Sequence, residues 1–276
     1  MAHQNNSRPH RTTRHHLNGV PREFDDVLAV EGPIQVKLQA GDVGPIDYAV
    51  LMRTPGHDEE LLYGLLYSES IIHHSSDITH IREIGQNPAV DEYLVELQSP
   101  GMLADLAARN MAGHSGCGVC AMDSAERLLS EIYPVLPLKK GIFTARDVMS
   151  FKKHFTSRQT LFSQTGGSHA TILLTSDGSP ILIREDVGRH NAMDKAIGYM
   201  LWKSPATSVH IALVSGRLSY EIVHKALKAK IPVLAGLGAP SSMAVRLAAE
   251  NNLTLIGFLS HEKFNIYTHT ERIKTN

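Results

Sequence analysis

Cysteine is scarce in this sequence: 276 residues hold two, and both fall in the run Gly116-Cys117-Gly118-Val119-Cys120. Any sulfur chemistry is therefore confined to one Cys-x-x-Cys unit. A structural zinc site normally draws four ligands. His114 stands just upstream, but no second Cys or Cys/His pair follows at finger spacing, which counts against zinc. A disulfide across two intervening residues gains little from loop closure, which counts against a structural bridge. Surplus charge is lacking too, since Lys+Arg 27 face Asp+Glu 28 for a formal net charge of -1. No global field then draws the chain to nucleic acid or to an anionic membrane, and any anion site has to be local. Long hydrophobic runs are missing, for none approaches the roughly 20 residues that span a bilayer. The opening residues carry His3, Arg8, His10, Arg11, Arg14, His15 and His16 with almost no apolar side chain, which fits neither a signal peptide nor a membrane anchor. A soluble, cytoplasmic protein is expected, with a disordered His/Arg-rich tail over residues 1–20 and no internal repeat or low-complexity segment beyond it.

What is present divides near residue 140. The chain is 42% hydrophobic and can bury a core, and its length suits two domains. In residues 21–140, Ile34 to Ala40 and Ile46 to Arg53 alternate apolar and polar residues about the turn Gly41-Asp42-Val43-Gly44, which predicts a hairpin. Asp58-Glu59-Glu60 opens a mostly apolar helix at the end where its dipole favours acids. Strands over Ile78 to Ile84 and Glu92 to Gln98 complete a small α+β unit that ends with the Cys unit. Asp123 can cap a following helix, which Pro134 and Pro137 stop. In residues 141–276, Thr144 is a predicted N-cap for a helix through Phe151, and His169 to Thr175 and Ile181 to Arg184 are strands around the turn Asp177-Gly178. Helices and strands then alternate: Ala192 to Trp202, Val209 to Val214, Tyr220 to Ala229, Val233 to Leu237, Ser242 to Glu250 and Leu253 to Phe258. This predicts an α/β sandwich around a mixed, partly parallel sheet.

In open α/β sheets ligands gather at the carboxyl ends of parallel strands, where helix N-termini present unpaired N–H groups. Val214-Ser215-Gly216-Arg217 suits a phosphate there, and Gly236-Leu237-Gly238-Ala239-Pro240-Ser241-Ser242 forms a second such loop, although Gly and Ser also occur in loops merely to turn and cap. Charge is densest in Arg184-Glu185-Asp186-Val187-Gly188-Arg189-His190-Asn191-Ala192-Met193-Asp194-Lys195. This stretch directly follows a strand and is either a functional loop or a structural ion-pair network. His169 starts an apolar strand and could contact a ligand or be a satisfied core histidine. The Cys unit reads as a redox-active or sulfur-carrying dithiol, or as two small apolar residues without chemistry.

Five ordered motifs, Gly116–Cys120, Thr165–Ala170, Glu185–Lys195, Ser215–Glu221 and Leu253–Phe258, resemble the FdhD/NarQ family of formate dehydrogenase accessory proteins from about Val27 onward. The resemblance implies a sulfurtransferase with a cytidine-deaminase-like second half behind a smaller α+β domain. Such a protein accepts sulfane sulfur from a cysteine desulfurase and passes it to the bis-molybdopterin guanine dinucleotide molybdenum cofactor for formate dehydrogenase. It places the persulfide on Cys117 with Cys120 as its partner, and cofactor contacts at Phe258, Leu259, Ser260, His261, Glu262 and Lys263. That segment departs from the family's Gly/Arg-rich version, leaving Lys263 its one cation, and Ala121 and His114 stand where the family often has Gly and Arg. Since the cofactor carries two pyrophosphates, Arg217, Arg189, Ser215 and Lys263 are the expected anchors, with Asp186 or Asp194 reading guanine edges. No permanently bound metal is expected, and a homodimer is allowed for. Two rivals stand beside this reading. A zinc deaminase-like hydrolase would need the Glu and Pro that His169-Ala170-Thr171 and Gly116 lack. A cofactor-insertion chaperone would leave the thiols idle.

Overall fold

The computed structural model describes residues 6–85, 89–103, 133–137, 139–204, 206 and 208–274. The Cys-x-x-Cys unit, His114, Ala121 and the helix expected after Asp123 lie outside the described residues. The chain opens with strand β1 (Ser7–Arg14), antiparallel to β2 (Arg22–Ala29). This corrects the expected disordered tail over Ser7–Arg14, while residues 1–5 lie outside the described residues. The segment has almost no apolar side chains of its own, but the acidic stretch after it supplies partners: Arg11 donates to Glu23 (3.0 Å) and Asp25 (3.3 Å), and the Arg14 guanidinium lies 4.0 Å from the Phe24 ring centroid.

The predicted hairpin forms as β3 (Gly32–Ala40) and β4 (Val43–Arg53). Helix α1 (Asp58–Ser68) follows, then β5 (Ile78–Glu83) and β6 (Asp91–Leu97), closing a sheet of order β4-β3-β6-β5 in which β3 and β6 run parallel. Alternation turns Ile34, Val36, Leu38 and Ala40 of β3 inward, where they pack with Leu61, Leu62, Leu65 and Leu66 of α1. Arg53, 0% exposed, ties the corners of this unit together by donating to both oxygens of Asp58 (2.9 and 3.1 Å), to Asp91 and to the Gly32 carbonyl (3.3 Å).

The second unit begins with β7 (Phe143–Thr144), α2 (Ala145–Phe151), α3 (Lys153–Arg158) and α4 (Thr160–Thr165). Thr144 caps α2 as predicted, in a reciprocal box with Asp147 (3.2 and 2.8 Å). Then come β8 (His169–Leu174), β9 (Pro180–Asp186), α5 (Arg189–Lys203), β10 (Ile211–Val214), α6 (Tyr220–Lys228), β11 (Val233–Gly236), α7 (Ser242–Glu250), β12 (Thr254–Gly257), β13 (Asn265–Ile266) and β14 (Ile273–Lys274). Six of these strands form a sheet of order β13-β12-β11-β10-β8-β9, with β10, β11 and β12 mutually parallel and the other pairings antiparallel. Helices α5, α6 and α7 bury one face, and α2 and α3 contribute Val148, Phe151 and Phe155 to the other. This is the mixed, partly parallel sandwich expected for the second half.

The division near residue 140 separates two sheets, but packing joins them. Helix α1 lies against α5 so closely that a Cβ on Gly64 would stand 1.9 Å from the Asp194 carbonyl oxygen. Among the described residues no helix is long and apolar enough to cross a membrane.

Candidate functional site

Antiparallel pairing brings the start of β8 and the end of β9 to the carboxyl ends of the parallel strands. His169 pairs with Asp186, and Thr171 with Val214. Ser215 locks this corner: its N–H donates to the Ala170 carbonyl (3.0 Å) and its Oγ accepts from the Ala170 N–H (2.9 Å). The loops after β10, β11 and β12 are stitched into one rim by Leu237 N–H to Val214 O (3.1 Å), Gly238 N–H to Gly216 O (3.2 Å) and Phe258 N–H to Gly238 O (3.1 Å). Gly238 permits that approach, since a Cβ there would stand 2.9 Å from the Gly216 oxygen. Helices α5, α6 and α7 all start at this rim, after Gly188, Ser219 and Ser241. Three sets of N-terminal N–H groups therefore face one edge, an arrangement suited to anions.

The expected residues do converge here, but they divide sharply by role. Asp186 is 0% exposed, and its two oxygens accept four bonds: from Gly188 N–H (2.9 Å) and Asn191 Nδ2 (3.0 Å) on one, and from Thr54 N–H (3.1 Å) and Lys195 Nζ (2.6 Å) on the other. Asp194 is likewise buried, held by Lys225 Nζ through both oxygens (2.7 and 2.8 Å) and by Ser68 Oγ (3.0 Å). Neither can read a guanine edge, because every lone pair a base would need is already taken or walled off. Arg184 pairs with Glu60, and Glu185 accepts from the Leu161 and Phe162 N–H groups (2.9 Å each) at the start of α4. Most of the charge-dense stretch is thus the ion-pair network that was its alternative reading.

Arg189 and His190 are the exceptions. Both are half-buried in the first turn of α5, the Arg189 Nε is buried without a partner among the described residues, and no hydrogen bond of the His190 ring is found there. Gly216 sits between Arg189 and His169, either of which would lie 3.4 Å from a Cβ placed on it. The His169 Nδ1 is 3.4 Å from Ser215 Oγ. Burial first, then the neighbouring Arg189, depresses the His169 pKa against the pull of Asp186. His190 is pushed down to about 4 by burial, then by Arg189 and Lys225, with Glu221 opposing. Both imidazoles are therefore neutral near neutral pH. Sequence reasoning passed over His190. Its one signal was its place beside Arg189 in a stretch whose other charges proved structural.

Arg217 is exposed on the rim. In the segment 258–263, Leu259 belongs to the core beneath the sheet, so its side chain is no ligand contact: the left-handed Phe258 turns the chain back, and the Leu259 N–H donates to the Gly236 carbonyl (3.0 Å). Ser260 builds the turn, its Oγ donating to the Lys263 carbonyl (2.8 Å) and accepting from the Lys263 N–H (3.0 Å). His261, Glu262 and Lys263 are exposed at its tip. Phe258 stands out, for it is 47% exposed and held at φ 54, a left-handed conformation that is strained for an aromatic residue and clusters at ligand sites. Among the described residues no group of three or more His, Cys, Asp or Glu side chains could hold a metal ion.

Comparison with known proteins places this arrangement. Residues 29–274 match the family model described as the FdhD/NarQ family. The chain is 41% identical over 251 residues to the sulfur carrier protein FdhD of Saccharolobus solfataricus, covering 90% of this chain and 91% of that one. It is 35% identical to the protein of the same name from Thermoplasma volcanium over 278 residues, 99% and 98% of the two chains. A crystal structure from Desulfotalea psychrophila, described as a formate dehydrogenase accessory protein, superposes with a TM-score of 0.75 at 24% identity over 97% of this chain and 99% of that one, a likeness of fold.

Proposed function

Because the chain belongs to the FdhD/NarQ family, we propose that it is a persulfide sulfur carrier that loads the molybdenum cofactor of a formate dehydrogenase. The observation that carries this reading is the rim. Three helix N-termini, Arg189, Arg217 and the exposed, strained Phe258 meet on one edge, and that combination suits a ligand with phosphates and a flat heterocycle. The bis-molybdopterin guanine dinucleotide cofactor is such a ligand and enters as substrate. Arg189 and Arg217 take its phosphates, Ser215 and His169 line the floor, Phe258 stacks on a ring, and Lys263 approaches from the turn.

The sulfur step uses the chain's only thiols. The Cys117 thiolate attacks the outer sulfur of a desulfurase persulfide, a new S–S bond forms, and the donor cysteine leaves as thiolate. On delivery the Cys120 thiolate attacks Cys117 Sγ, the outer sulfur departs as sulfide to the thiophilic metal with two electrons drawn from the cysteine pair, and Cys117 and Cys120 are left oxidised as a disulfide. A thiol reductant returns it to the dithiol.

Intact-protein mass spectrometry after incubation with a cysteine desulfurase and cysteine tests this reading. Wild type gains the mass of one sulfur, Cys117→Ala gains none, and Cys120→Ala still loads but fails to activate formate dehydrogenase. Full activation by Cys117→Ala protein would leave the chaperone reading in its place.

A further inference from the structure

The charge-dense stretch leaves two polar side chains uncommitted. Arg184, Glu185, Asp186, Asn191, Asp194 and Lys195 each complete a structural contact, whereas Arg189 has an unpartnered buried Nε and His190 has no hydrogen bond among the described residues. Their neighbours come from two further elements. Glu221 and Lys225 reach this corner from α6, and His169 from β8. Behind His169 on the same face of β8, Thr171 is wholly buried and its hydroxyl also lacks a partner among the described residues. A half-buried imidazole without a hydrogen bond, beside a guanidinium whose Nε is unsatisfied, is an incomplete polar constellation. What it lacks is an acceptor that both can share, and the N-termini of α5 and α6 favour an anionic one.

Resting on the reading of the rim as a phosphate-binding edge, we propose that His190 contacts a phosphoryl oxygen of the bound ligand alongside Arg189, and that binding there is coupled to proton uptake by this histidine. The imidazole meets the ligand as a neutral donor, because burial first, and then repulsion by Arg189 and Lys225, outweigh the pull of Glu221. An anion placed against it offsets that repulsion, so protonation becomes easier in the complex than in the free protein. Linkage is reciprocal: what the anion does for the proton, the proton does for the anion. Affinity carried by His190 therefore rises as pH falls from the ordinary histidine range toward about 4.

Calorimetric titration of the full chain with GDP and with inorganic pyrophosphate, at about pH 7.5 and about pH 5.5 and in buffers of different ionisation enthalpy, tests this. The phosphates titrate in the same range, so the reading is the difference between wild type and His190→Gln, which keeps a neutral donor but cannot take the proton. Wild type takes up protons on binding and gains about tenfold over His190→Gln at the lower pH, while the two agree within about threefold at the higher. His190→Phe, checked for folding by circular dichroism, binds about tenfold more weakly than His190→Gln at both. The same proton uptake with pyrophosphate assigns the contact to the phosphoryl group and not to the base. Binding with identical pH dependence in wild type and His190→Gln overturns this inference and leaves the rim reading intact. If neither probe binds wild type at either pH, both fall.

Discussion

Asp186 and Arg217 belong to the same rim in opposite electrostatic states, and single substitutions should separate them. Asp186→Ala leaves the Thr54 N–H buried without its acceptor and the Lys195 ammonium buried without its counter-charge, with the Thr54 carbonyl still accepting from it. That should destabilise the fold by about 3–5 kcal/mol in denaturant titrations, the scale for removing one partner of a buried ion pair. Arg217 is exposed, so Arg217→Ala should shift stability by no more than about 0.5 kcal/mol and instead weaken nucleotide binding measured by calorimetry. A GDP affinity unchanged by Arg217→Ala would remove it from the site. Nothing in residue type distinguishes these two positions, since both are single charges at strand ends. The difference is burial, which the chain spacing does not encode.

Elements were legible where their signals are local. The turn expected over Gly41–Gly44, which forms at Gly41-Asp42 with β4 starting at Val43, and the Thr144 cap each act within four residues. Helices α3 and α4 escaped notice because α4 is capped from another element: Glu185 of β9 receives its first N–H groups. Glu185→Ala should therefore cost about 1 kcal/mol and speed amide exchange in Thr160–Thr165. The change should spread to β1 and β2, whose ribbon packs on that helix, because a two-stranded ribbon is marginal without support. Exchange confined to the loop before α4 would show that the cap is dispensable.

For the whole molecule, the joint between the two sheets is electrostatic as well as close-packed. Glu60 of α1 receives Arg184 of β9 and Lys203 of α5. Burial alone would raise its pKa, but hydrogen bonds from His57, Arg184 and Lys203 outweigh it and hold the carboxyl down to about 2. A carboxyl depressed in the folded state stabilises it above the unfolded value near 4.5 and loses that contribution as pH falls toward 2. Thermal melts should therefore fall steeply between those limits in wild type and less steeply in Glu60→Gln, and parallel pH profiles would count against a role for this joint. The sequence by itself determined the alternating strands, the capped helices, the order of the sandwich elements and the restriction of sulfur to Cys117 and Cys120, because side-chain period, turn chemistry and composition act over a few residues. Only the tertiary structure decided that Asp186, Asp194 and Leu259 are architecture, that the opening segment pairs as a strand, and that Arg189 Nε and the His190 ring have no hydrogen-bond partner among the described residues. The fixing of Asp186, Asp194 and Arg184 depends on Thr54, Ser68 and Glu60, more than a hundred residues away along the chain, which folding alone brings within hydrogen-bond reach.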